Sequence, residues 1–140
     1  MILNPAIVFV CLTLFGAIQT EERFKGRLSP VPIDATMRAN VTGTGSVSAV
    51  LSGTSRLSIS GTFEGLGGPA TVARLHQGLT TGVRGSALSE LTVSKSTSGT
   101  LSGTVTLTEA QVENLKKGKL YIQIHSEKAP DGNLWGWLLR

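Results

Sequence analysis

Ser46-Val47-Ser48-Ala49-Val50-Leu51-Ser52-Gly53-Thr54-Ser55-Arg56-Leu57-Ser58-Ile59-Ser60-Gly61-Thr62-Phe63 is the stretch that decides the fold class. Val47, Ala49 and Leu51 share one parity, while Ser46, Ser48 and Ser52 take the other. Leu57, Ile59 and Phe63 resume the pattern after Ser52-Gly53-Thr54. Period-two alternation broken by turn residues predicts a half-buried β-hairpin.

Working toward the C-terminus, Gly65-Leu66-Gly67-Gly68-Pro69 reads as a loop and Ala70 to Gln77 as a strand. Residues 79–88, with Gly82 and Gly85, read as a further loop. A second hairpin passes through Leu91 and Val93, turns at Ser96-Thr97-Ser98-Gly99, and returns through Leu101, Val105 and Leu107. Thr108 with Gln111 three residues on forms a capping box, so a short helix follows, with Val112 and Leu115 inward and Lys116-Lys117-Gly118 at its end. Leu120, Ile122 and Ile124 then alternate with Tyr121, Gln123 and His125. A loop at Pro130-Asp131-Gly132-Asn133 leads into a last strand, Leu134 to Leu139. Toward the N-terminus, residues 21–42 read as a lead-in strand and a loop, since Pro30-Val31-Pro32 resists helix and central strand alike. The expected architecture is all-β: an antiparallel β-sandwich or barrel with Greek-key character and one short helix. Ser-Gly-Thr recurs at residues 52, 60, 98 and 102 at irregular spacing, which marks shared turn chemistry and not a repeat.

The 140 residues suit one domain. Residues 1–20 carry no charge, and Ile2 to Ile18 is almost wholly apolar before Glu21-Glu22-Arg23. A run of this length predicts a signal peptide, with an uncleaved N-terminal membrane anchor through residues 2–18 as the rival. The expected domain is therefore 21–140, periplasmic or secreted. The single cysteine, Cys11, lies in the apolar run, which leaves no cysteine in the domain for a disulfide, thiolate site or nucleophile. The formal net charge is +4. Its one basic cluster, Lys116-Lys117-Gly118-Lys119, sits where it complements a helix dipole, not in a nucleic-acid-binding stripe with interleaved aromatics.

No catalytic motif is complete. The carboxylates show no acid/base pair, the serines lack a nucleophile-elbow context, and Gly65-Leu66-Gly67-Gly68 lacks the phosphate-binding helix that would follow it. The expectation is a non-enzyme without a cofactor.

Leu120-Tyr121-Ile122-Gln123-Ile124-His125 followed by Pro130-Asp131-Gly132-Asn133-Leu134-Trp135-Gly136 resembles the end of a CHRD domain, the chordin-type family found in bacterial exported proteins. The capped helix with Leu115 and Gly118, the segment Ala73-Arg74-Leu75-His76 and the Gly43–Phe63 hairpin resemble further parts of it, over about residues 24–139. Two positions depart from the family pattern: Arg74 stands for the first histidine of its His-Ile-His strand, and Gly132-Asn133-Leu134 lacks its glutamate. The resemblance implies a binding or accessory module outside the cytoplasm. The ending Trp135-Gly136-Trp137-Leu138-Leu139 is similar to a bacterial subgroup associated with quinone-dependent dehydrogenases and cytochromes c, which implies an exported or membrane-bound redox protein as partner.

His76 and His125 are the only histidines. Each neighbours an inward residue, Leu75 or Ile124, so both should face outward. Arg74-Leu75-His76 and Ile124-His125-Ser126-Glu127-Lys128 also resemble the copper-ligand strands of copper/zinc superoxide dismutase. Paired on adjacent strands, the imidazoles would make a copper or zinc site completed by Glu127, Asp131 or water. The competing expectation is two strand histidines hydrogen-bonded to nearby loops. Trp135, Trp137 and Tyr121 share the outward parity, which predicts an exposed aromatic contact surface; the competing expectation is that the tryptophans cover the barrel end or pack beneath the N-terminal segment.

Overall fold

The computed structural model describes residues 20–140; the expected signal peptide or anchor and Cys11 lie outside the described residues. Eight strands and one helix follow in the order β1 (Glu21–Pro30), β2 (Thr44–Ser52), β3 (Arg56–Glu64), β4 (Ala70–Gln77), β5 (Ser86–Val93), β6 (Gly99–Thr106), α1 (Glu109–Lys116), β7 (Leu120–Ser126) and β8 (Leu134–Trp137).

The strands close into one antiparallel barrel in the order β1-β2-β3-β6-β5-β4-β7-β8. The β3-β6-β5-β4 run is a Greek key: three consecutive strands joined as hairpins, with β3 returned beside the last of them. Closure removes the open sheet edges that would otherwise template pairing with another chain. The seam is short, Ser29 opposite Trp135 and Pro30 opposite Leu134. Beyond it Lys25 and Leu139 exchange both backbone hydrogen bonds, at 2.7 and 2.9 Å.

The alternation read from the sequence is the alternation of the barrel. Val47, Ala49, Leu51, Leu57, Ile59, Phe63, Leu75, Leu101, Ile122, Ile124, Leu134 and Leu138 fill the interior, each buried. Complete burial of one such side chain contributes roughly 1.5–3 kcal/mol. Gly26, Val47, Gly61 and Leu101 lie in one inward row across four strands. The two glycines there admit close packing, since a Cβ on Gly26 would press on the Trp137 carbonyl and one on Gly61 on the Ser46 carbonyl.

Helix α1 closes one end of the barrel with Val112 and Leu115. Its capping box is complete: Gln111 N–H donates to Thr108 Oγ1 at 3.2 Å, and Gln111 Oε1 accepts from Thr108 N–H at 2.9 Å. Gly118, at φ +73°, ends it in a Schellman motif with Gly118 N–H to the Leu115 carbonyl and Lys119 N–H to the Asn114 carbonyl.

Two boundaries differ from the sequence reading. β5 starts at Ser86, inside the expected 79–88 loop. Its first residues pair with His76 and Leu75, yet Ser86, Ala87, Leu88 and Ser89 are not buried, so no apolar alternation announces a strand there. β8 stops at Trp137, and Leu139 reaches across to β1 alone.

Candidate functional site: an aromatic cluster on the outside of the barrel

The register of β4, β7 and β8 sets outward side chains in rows. His76 lies opposite Tyr121, and Tyr121 opposite Trp137. Arg74 lies opposite Gln123, and Gln123 opposite Trp135. Side chains on paired outward positions stand within contact of one another, and four rings accordingly form one cluster. His76 stacks on Tyr121 with centroids 4.9 Å apart and planes at 18°. Trp137 leans on the other side of Tyr121 at 4.4 Å. Trp135 meets Tyr121 and Trp137 edge-on, at 5.9 and 5.6 Å.

The outward parity expected for Tyr121, Trp135, Trp137, His76 and His125 is the parity found. The expected exposure of Tyr121 is not: it is 1% exposed. The cause is the segment 78–85, which folds over the sheet. Gly78 N–H bonds to the Lys119 carbonyl at 2.8 Å, and Thr81 Oγ1 to the Gly118 carbonyl at 2.6 Å. Gly85 then exchanges hydrogen bonds with the Tyr121 phenol, donating its N–H at 3.0 Å and accepting Oη–H at 3.3 Å. The tip stays out in water, with Leu79 82% and Val83 42% exposed. Arg84 lays its guanidinium 5.8 Å from the centre of the Trp135 ring. Trp135 and Trp137 remain half-buried.

His76 Nδ1 lies 3.0 Å from the Gly85 carbonyl, and His125 Nδ1 2.8 Å from the Pro130 carbonyl. A carbonyl only accepts, so each Nδ1 carries the proton that fills this contact. Both Nε2 atoms are buried without a hydrogen-bond partner among the described residues, as is Trp137 Nε1. Burial chiefly holds the His76 pKa below the usual imidazole value; the Gly85 bond opposes this, and the charges of His125, Arg74 and Arg84 add to it.

The strands bearing the two histidines are neighbours, as a shared metal site requires. The register nevertheless puts His76 opposite Tyr121 and His125 opposite Val72. Four residues of β7 separate the two rows, about 13 Å along the sheet. Among the described residues no group of three or more His, Cys, Asp and Glu is placed to hold a metal ion.

Sequence reasoning missed Arg84 and Gly85, whose only signal was a loop with two glycines. It also missed a buried polar knot below the site. Asn133 Oδ1 accepts from Ser126 Oγ at 2.7 Å, and its Nδ2 donates to the Thr42 carbonyl at 2.7 Å. Buried Gln123 donates to the Asp131 carbonyl at 3.2 Å. Together these bonds fix the 127–133 loop beneath Trp135.

The fold and this site define a small Greek-key barrel with an aromatic cluster on its outer face. The family model for the CHRD domain matches residues 18–138, so the chain belongs to the CHRD domain family. No curated protein and no solved structure matches the chain.

Proposed function

We propose that the chain is a non-catalytic binding or accessory module that works outside the cytoplasm, with the outer face of β4, β7 and β8 as its contact surface. The observation that carries this is the cluster of His76, Tyr121, Trp135 and Trp137 outside a barrel whose core is already complete. Half-buried indoles beside an exposed Leu79 and Val83 give a partner large apolar anchors with polar tips. The partner in this reading is an exported or membrane-bound protein, a quinone-dependent dehydrogenase or cytochrome c in the finest form of the proposal. CHRD membership supports the module and its extracytoplasmic setting. An uncleaved apolar run at residues 2–18 would add membrane contact.

The test is capture after in-cell crosslinking of the tagged full-length chain, with fractionation and intact-mass analysis of the same material. The wild-type chain is expected in the exported or membrane fraction and joined to one recurring partner, and Trp135→Ser is expected to lose that partner. Undiminished capture by Trp135→Ser would remove the aromatic face from the proposal.

The pinned imidazoles support a second reading, copper or zinc binding at His76 and His125. A ring whose Nδ1–H is held by a carbonyl presents Nε2 in the orientation and tautomer of a metal ligand. Stoichiometric copper or zinc uptake by the purified chain, lost in the double variant His76→Ala and His125→Ala, would establish it. Absence of uptake would end it.

A further inference from the structure

We propose that the contact face selects its partner by charge, receiving a carboxylate of an acidic segment between Arg74 and Arg84 beside the Trp135 ring. The inference rests on the reading of that face as a contact surface and names the chemistry that would occupy it.

Arg74 reaches this face from β4, in the row that continues through Gln123 to Trp135. Arg84 reaches it from the other direction, from the 78–85 segment, and lies over the same ring. The two arginines thus approach the Trp135 side of the outer face from different elements. The ion pairs formed among the described residues join Glu21 to Arg23 and Glu22 to Lys116 and Arg140; Arg74 and Arg84 take part in none. Glu90 lies opposite Arg74 on β5 without forming an ion pair with it. Glu127 and Asp131 belong to the loop at the His125 end and are also uncommitted to either arginine.

Two guanidinium groups without an ion-pair partner among the described residues make this face locally positive. A carboxylate is the group their planar donor forks fit, in paired N–H···O bonds. Leu79, Val83 and the two indoles supply apolar contact on the same side. A segment that alternates carboxylate and apolar side chains matches this arrangement. The chain's formal charge of +4 favours encounter with an acidic partner as well.

The protein carries its own reporter. Its two tryptophans are Trp135 and Trp137, so indole emission of the full chain reads this face alone. Short synthetic peptides alternating leucine with glutamate, with glutamine or with lysine are titrated against it at low and at physiological salt. The glutamate peptide is expected to change the emission saturably and to bind about tenfold or more tightly than the glutamine peptide, with the difference shrinking as salt rises. Arg74→Gln combined with Arg84→Gln should erase that difference, and Arg84→Lys in place of Arg84→Gln should restore part of it. Circular dichroism confirms that each variant folds.

Equal binding of glutamate and glutamine peptides would overturn charge selection while leaving the contact face standing. Preference for the lysine peptide would overturn it outright. A response to inorganic polyphosphate with none to the glutamate peptide would replace the acidic protein segment with a phosphate polyanion. No emission change with any peptide would overturn the inference, and the contact-face reading falls with it only if Trp135→Ser also keeps its crosslinked partner.

Discussion

The phenol of Tyr121 and the backbone of Gly85 are hydrogen-bonded to each other twice, once in each direction, although the residues are 36 apart in sequence. This reciprocal pair clamps the 78–85 segment onto the outer sheet. It makes a surface-facing tyrosine a buried one, and it sets Arg84 over Trp135.

Tyr121→Phe deletes both bonds while keeping the ring stack. The Gly85 carbonyl retains His76, but the Gly85 N–H is left without its acceptor. The expected loss is about 1–3 kcal/mol in a denaturant melt. Limited proteolysis should show faster cutting within 79–84, and unchanged cutting would mean that the clamp does not hold the segment.

Indole replacement should separate stability from binding. Trp137 packs on Tyr121 and its ring end lies against Gly78. Trp135 packs against the satellite cluster of Val31, Val41 and Ala129. Because both are half-buried, serine at either position should cost about 1–3 kcal/mol, short of the ~3–5 kcal/mol of an emptied core site. Thermal melts of the two variants check this; a core-sized loss at Trp137 would show that it belongs to the fold and not to the face.

His76 should make stability depend on pH. Its pKa is lowered in the folded chain, chiefly by burial, so folding favours the neutral ring. That contribution is complete above the unfolded imidazole pKa and is lost as the pH falls through the lower folded value. Arg74, Arg84 and His125 all sharpen the effect in the same direction. Urea midpoints should therefore fall on acidification below about pH 6.5. His76→Gln, which can still donate to the Gly85 carbonyl, should fall less, and parallel curves would contradict the assignment.

Asn133→Ala should be costly for a polar residue. It strips a partner from the Ser126 hydroxyl and from the Thr42 carbonyl at a buried position. A loss of about 2–3 kcal/mol in urea unfolding is expected. Backbone exchange should rise in residues 127–133, the loop that Asn133 ties to the rest of the barrel. A loss below ~0.5 kcal/mol would mean that water replaces those bonds freely.

The all-β class, the strand parity of the hairpins and of the C-terminal strands, and the capped helix were legible in the residues alone. Each of these is local. A two-residue period fixes which side chains of Val47–Phe63 and Leu120–His125 go inward, and Thr108, Gln111 and Gly118 cap their own helix. Closure of the sheet came from long-range pairing, because it depends on which strands pair, and parity carries no register. The same physics explains the site. Parity put His76, His125, Tyr121, Trp135 and Trp137 on one face correctly. Register then stacked His76 on Tyr121 and left His125 four residues away. Hydrogen bonds from a segment distant in sequence, through Gly85 and Thr81, covered the tyrosine that alternation alone would leave in water. Arg84 gained its place over Trp135 by the same long-range contacts, for which a loop with two glycines gives no local signal.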